Sequence, residues 1–292
     1  MASYTYRQLY LAAKQELQDC ENGEFAARQL VAAATGRTVS QLIADLQLTA
    51  FHRDIETASD YISRYKEGEP LAYILGKWEF YGLPIHVCPD VLIPRDDTMV
   101  LCDLAIHRAK LMGKNPRILD LCAGTGCIGL AIASRVKDVR VTLGEISPAA
   151  IRVAKKNIQE NKLSGRVSCY EMDARKAPPK FVGTYDMIVS NPPYITGQEM
   201  RELDPSVRDH EPHLALYGGE DGLDFYRDIV EHYTPILRPG GYLAFEFGMG
   251  QENDVAAIMF RAGYENLHVA KDSGERFRAI IGRKKPESQE EQ

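Results

Sequence analysis

Along the first 70 residues the apolar positions recur every three or four residues. Leu9, Ala12, Ala13 and Leu17 share one helical face, and Leu30, Val31 and Ala34 share another, stopped by Gly36. Ile55, Ala58, Ile62 and Tyr65 form a third stripe, ended by Gly68-Glu69-Pro70. The pattern predicts a small all-helical bundle over 1–70. Over 71–95 it changes to β-forming residues broken by Gly76, Gly82 and Pro84, which predicts a hairpin linker. From 96 to 284 helices and strands alternate. Helices are predicted over 98–112, 127–136, 147–161, 222–233 and 253–262. Strands are predicted over 117–121, 139–143, 167–170, 185–190, 242–247, 267–270 and 277–281. This is an α/β pattern, an open and mostly parallel sheet with right-handed crossovers. Such sheets bind ligands at the C-terminal ends of their strands. Residues 285–292 read as a flexible polar tail.

Composition narrows the class. The 292 residues carry 35 Lys and Arg against 41 Asp and Glu, a net charge of −6. That balance argues against phosphate-driven nucleic-acid binding, which needs clustered bases. No apolar run approaches the roughly 20 residues of a membrane-spanning helix. The N-terminus has the features of neither a signal nor a transit peptide. Six cysteines without a CxxC pair or a regular framework predict reduced thiols, a cytoplasmic location and no zinc site.

The first strand of the alternating region runs into Asp120-Leu-Cys122-Ala123-Gly124-Thr125-Gly126-Cys-Ile-Gly129. GTGCIG fits the dinucleotide fingerprint, and Glu145 lies 21 residues after Gly124, placed to accept hydrogen bonds from two ribose hydroxyls. Three readings are open: a tight turn without a ligand, a dinucleotide, or S-adenosylmethionine. The discriminator is Asp120, which would sit close to a pyrophosphate held at the helix N-terminus. A carboxylate there disfavours a dinucleotide. It suits S-adenosylmethionine, which has no phosphate and carries an ammonium and a sulfonium.

A later strand ends in Asn191-Pro192-Pro193-Tyr194. Two prolines cannot continue a central strand, so they make a stiff extended corner. The Asn191 side-chain oxygen and the Pro192 carbonyl become two fixed acceptors, suited to a planar –NH2 group. Holding both hydrogens orients the nitrogen and favours the positive charge that develops as it attacks a methyl carbon. Tyr194 would stack on the planar group.

The order DLCAGTG, Glu145, NPPY resembles the class I S-adenosylmethionine-dependent methyltransferases that act on planar nitrogens. GEPLAYILG over 68–76, EFYGLP over 79–84, PDVLIPR over 89–95 and EPHLALYGGEDGL over 211–223 narrow the likeness to the peptide chain release factor glutamine methyltransferases. The resemblance covers nearly the whole chain. It implies a Rossmann-like catalytic domain with a mixed, mostly parallel seven-stranded sheet, preceded by a helical domain that helps recognise the partner. It also implies methylation of the glutamine side-chain nitrogen in the GGQ loop of class 1 release factors. The S-adenosylmethionine loop would be Cys122 to Gly126, with Glu145 on the ribose and Asp173 and Ala174 at the adenine. Asn191 to Tyr194 would hold the glutamine amide, and Ile93, Pro94 and Arg95 would line the substrate pocket. The chain departs from the family in three places: Cys122 replaces a loop glycine, Ala174 an aromatic, and Asp96-Asp97-Thr98-Met99 the run PETE.

Other features are weighed against plainer roles. His210 and His213 flank a proline, share no helical face and are read as a surface loop rather than a metal site. The long loop 195–222 is a candidate lid, and Trp78 and Tyr81 are expected in interdomain packing. The rival activities are glutamine methylation of a large-subunit ribosomal protein, adenine methylation of nucleic acid, and cofactor binding without turnover.

Overall fold

A computed structural model describes residues 4–286; residues 287–292, most of the expected tail, lie outside it. The described residues divide into two compact units, 4–77 with 204–210, and 78–203 with 211–286.

In the first unit, α1 (Tyr6–Glu16), α2 (Gly23–Ala34) and α4 (His52–Lys66) carry the three predicted stripes. Leu9, Ala13, Leu30, Val31, Ala58 and Ile62 meet in one apolar cluster. Gly23 lets α2 start against α1, because a Cβ there would fall 1.8 Å from the Leu17 carbonyl oxygen. A further helix, α3 (Val39–Ala44), was not predicted. Its six residues show little periodicity, but Thr38 and Gln41 close a capping box at its start. The expected linker needs correcting at its first residues. Leu71–Leu75 is a helix, α5, entered through Pro70 and ended by Gly76 at φ +67, and Ile74 joins the cluster of the helical unit. The hairpin is confined to β1 (Lys77–Phe80) and β2 (Leu83–His86), whose turn residues Tyr81 and Gly82 both have positive φ.

The second unit opens with α6 (Met99–Lys110) and continues with β3 (Arg117–Leu121), α7 (Cys127–Arg135), β4 (Arg140–Glu145), α8 (Pro148–Glu160), β5 (Val167–Glu171) and β6 (Tyr185–Ser190). Short helices α9 (Glu199–Glu202) and α10 (Pro205–Arg208) follow, the latter grouped with the first unit. The chain closes with α11 (Asp224–Tyr233), β7 (Leu237–Glu246), α12 (Glu252–Arg261), β8 (Tyr264–Lys271) and β9 (Phe277–Lys284). The strands form one seven-stranded sheet in the order β5-β4-β3-β6-β7-β9-β8. Its first five are parallel, while β9 runs antiparallel to both β7 and β8. Ile118, Leu119, Ile188, Val189 and Phe245 are fully buried, as expected of central strands covered by helices on both faces.

The predicted α/β architecture and its seven strands are therefore present. The sheet grows outward from β3 to β5, then returns to add β6 and β7 on the other side of β3. The topological switch point lies between β3 and β6, where a crevice opens at the C-terminal ends. No helix among the described residues is long and apolar enough to cross a membrane.

Candidate active site

Both predicted motifs emerge at that switch point. Leu121 and Ser190 are register partners on β3 and β6, so the glycine loop and the diproline corner begin side by side. The Ser190 hydroxyl donates to the Leu121 carbonyl at 2.8 Å and ties the two exits together.

On the β3 side the loop is shaped by backbone. Cys122 (φ +56), Gly124 (φ +52) and Gly126 (φ +80) all lie in the left-handed region. A Cβ on Gly126 would come within 2.7 Å of Leu143. Cys122 takes a conformation costing an L residue about 1 kcal/mol. The Glu145 carboxylate accepts from the Gly124 N–H at 2.8 Å and the Ser147 N–H at 2.9 Å, fixed from two directions with lone pairs to spare. Asp120 accepts from the Gly129 N–H inside the first turn of α7 at 2.8 Å. Its other oxygen, Oδ1, is buried with no partner. Burial pushes this carboxyl up to about 7, Glu145 adds in the same direction, and the Gly129 N–H opposes both.

These residues fit S-adenosylmethionine. The loop is open at Gly124, where a Cβ would meet nothing within 4 Å, and Glu145 is a rigid acceptor. Asp120 is 0% exposed, so it acts on a ligand through its field, which favours a cation over a pyrophosphate once the carboxyl is ionised. Thr125, Ala123 and Ala174 are likewise buried and support the loop and core, whereas Cys122, Gly124, Asp173 and Asn191 keep exposed surface. Asp173 follows β5, accepts from the Arg175 N–H at 2.9 Å and pairs with Lys176. Its carboxyl is partly desolvated, yet Lys176 and the Arg175 N–H outweigh that and hold it below the ordinary range.

On the β6 side the corner is held by side chains from elsewhere. Pro192 and Pro193 are buried, and the Asn191 side-chain N–H donates to the Thr98 hydroxyl at 3.4 Å. The amide is planar, so Oδ1 faces away from Thr98. Gln251 donates to the Tyr194 carbonyl at 3.1 Å and accepts from the Gly248 N–H at 2.9 Å. Burial raises the Tyr194 phenol, which keeps it neutral and able to present a ring face. A cavity of about 270 Å³ beside the corner is lined by Tyr194, Glu199, Glu202, Met249, Gln251 and Arg278.

Ile93 and Pro94 are buried, and Arg95 pairs with Glu211 while donating to the Ile93 carbonyl at 3.0 Å. Glu211 also accepts from the Ile93 N–H at 3.2 Å. Sequence reasoning placed Glu211 in a surface loop, but it is 4% exposed and locks the 93–95 segment. No group of residues that could hold a metal is found among the described residues. Tyr81 is tied to Asp103 and lies under the Arg135 guanidinium, both in its own unit.

Glu246 was missed as well. It ends β7 one residue past Phe245, the register partner of Ser190, and so stands next to Asn191. It is 2% exposed, and its Oε2 has no partner. Burial pushes its carboxyl up to about 7, Asp97 adds to this, and Thr98, Arg278 and Asn191 oppose it. The available signal was a lone acid inside the apolar run LAFEF.

Comparison with known proteins finds a family match for each part of the chain. Residues 8–76 match the PrmC N-terminal domain and residues 104–205 the methyltransferase small domain. A release factor glutamine methyltransferase of Geobacter sulfurreducens is 37% identical over 94% of this chain and 93% of its own length. Its Clostridium acetobutylicum counterpart is 41% identical over 76% of this chain and 78% of its own. A methyltransferase structure from Pyrococcus furiosus superposes with a TM-score of 0.52 at 19% identity, covering 78% of this chain and 99% of that one, a likeness of fold.

Proposed function

Because the chain belongs to the release factor glutamine methyltransferase family, we propose that it moves the methyl group of S-adenosylmethionine to the glutamine side-chain nitrogen in the GGQ loop of class 1 release factors. The observation that carries the site assignment is Asn191, fixed at the switch point with its N–H committed to Thr98 and Oδ1 turned the other way.

When bound, S-adenosylmethionine supplies an electrophilic methyl carbon on a cationic sulfur. The loop from Cys122 to Gly126 with Glu145 would hold it, and Asp173 and the Ala174 backbone would border the adenine. Asn191 Oδ1 and the Pro192 carbonyl accept the two amide hydrogens of the target. An amide nitrogen is a poor nucleophile because its lone pair is conjugated with its carbonyl. Two rigid acceptors orient that nitrogen and favour the charge it gains, so positioning and electrostatics do the catalysis. The proton leaves after transfer, since a neutral amide is a very weak acid, and no side chain is required as base. Pro193 stiffens the corner, Tyr194 covers the planar group, and Ile93, Pro94 and Arg95 line the pocket.

The helical unit, with exposed Phe25, Ile43, Leu48 and Phe51, is a surface for gripping the protein substrate. The reaction belongs in the cytoplasm, where peptide release occurs, and involves no direct nucleic-acid contact. The test is Asn191→Ala: methyl transfer to a purified release factor is abolished while calorimetry still shows cofactor binding. Turnover near the wild-type rate would contradict the amide clamp.

A further inference from the structure

A carboxylate buried without a hydrogen bond to one of its oxygens is expensive, and replacement by an apolar residue is commonly tolerated or stabilising. Glu246 is such a group, and nothing in the reaction derived above uses it. Its surroundings show what it does. It stands beside Asn191 through the β6–β7 register. Thr98, 2% exposed, accepts the Asn191 N–H at its hydroxyl, and hydrogen bonding from Thr98 is the largest effect opposing burial at the Glu246 carboxyl.

A hydroxyl has one proton. With its oxygen accepting from Asn191, the Thr98 proton is left to donate, and the Glu246 carboxyl is the acceptor that faces it. We propose that Glu246 is a positioning residue: through the Thr98 hydroxyl it holds the Asn191 carboxamide with Oδ1 directed at the target nitrogen. Without an acceptor behind it, Thr98 can turn and donate to Asn191 Oδ1. The carboxamide then presents its NH2 end to another NH2 group, and the clamp becomes repulsive. The order Glu246, Thr98, Asn191 gives an otherwise reversible amide a fixed polarity. The surrounding groups are consistent with this. Arg278 supports the charge of Glu246 through its field, while one terminal nitrogen of its guanidinium pairs with Asp97 at 3.2 Å and Asp272 at 3.5 Å.

The inference rests on the Asn191 reading and can fail separately from it. Glu246→Leu, Thr98→Val and Thr98→Ser are compared with wild type by steady-state kinetics on a release factor, calorimetry with S-adenosylmethionine, and thermal melting. Glu246→Leu, which removes the acceptor, and Thr98→Val are each expected to lower kcat at least about 10-fold, the size of effect misorientation produces. KM for the release factor and Kd for the cofactor should stay within about 2-fold, and Thr98→Ser should restore most of kcat. The double variant should lose no more than the worse single one, because both break one relay. If Glu246→Leu does not fold, the Thr98 pair decides the matter alone. A folded Thr98→Val with kcat within 2-fold of wild type overturns the relay. If Asn191→Ala remains inactive in that case, the amide clamp stands and only this inference falls.

Discussion

Two strands leave the sheet side by side, and the chain builds on them in different ways. At the end of β3 the contacts are made by backbone: the amides of Gly124, Ser147 and Gly129 bind Glu145 and Asp120, and positive φ angles shape the loop. Past β6 the contacts are made by side chains from remote segments: Thr98 on Asn191, Gln251 on the Tyr194 carbonyl, and Glu211 on the adjoining 93–95 segment. Each half also buries one carboxylate with an unpartnered oxygen, Asp120 and Glu246. The cofactor half needs a shape that glycine and strand register can give locally. The acceptor half must set the direction of one amide, which takes partners from several distant places.

The comparison breaks most visibly at Asn191. Asn191→Ala should cut kcat by about 100-fold or more, as removal of a transition-state contact does. The cofactor Kd should move little, as judged by isothermal calorimetry. Glu145→Ala should do the reverse. It frees two loop amides and raises the cofactor Kd roughly 10- to 100-fold, with kcat at saturating cofactor near wild type; a binding titration beside saturation kinetics separates the two. Equal effects on Kd from both variants would dissolve the division of labour.

The two carboxylates give a subtler test. Folding raises Asp120 and Glu246 from ordinary values of 3.8 and 4.5 to about 7. Between these limits the folded chain keeps two protons that the unfolded chain has released. Their contribution is full below pH 4 and is lost as pH rises through 7, up to about 8 kcal/mol in all. Melting from pH 5.5 to 8.5 should show Tm falling with rising pH, and Asp120→Asn and Glu246→Gln should each flatten the slope. The smallest effect is expected at Cys122. Cys122→Val puts a β-branched residue at φ +56 and should lower stability by about 1–2 kcal/mol in denaturant unfolding, with Cys122→Gly close to neutral.

The same division explains what could be read in the sequence. The cofactor half was legible because glycines, strand ends and a spaced acid leave a linear trace, as in DLCAGTG and Glu145. The strands were found from their apolar runs, with boundaries displaced by a few residues, as at β7, which starts at Leu237 rather than Tyr242. NPPY was legible as a corner, but its supports were not. Thr98 and Glu246 are far from it in sequence and meet it only in the fold, as Glu211 meets the 93–95 segment. Helices α3 and α5 escaped because five or six residues are too few to display a period, so their caps were the only local signal.

The central claim is that a fixed corner presents two acceptors to one planar nitrogen. It is tested most directly by incubating the protein with methyl-labelled S-adenosylmethionine and a purified class 1 release factor, then locating the label by peptide mass spectrometry. The account predicts a single labelled site, the side-chain nitrogen of the GGQ glutamine, absent with Asn191→Ala. Label on another residue, label on adenine when DNA is supplied instead, or an unchanged yield with Asn191→Ala would contradict it.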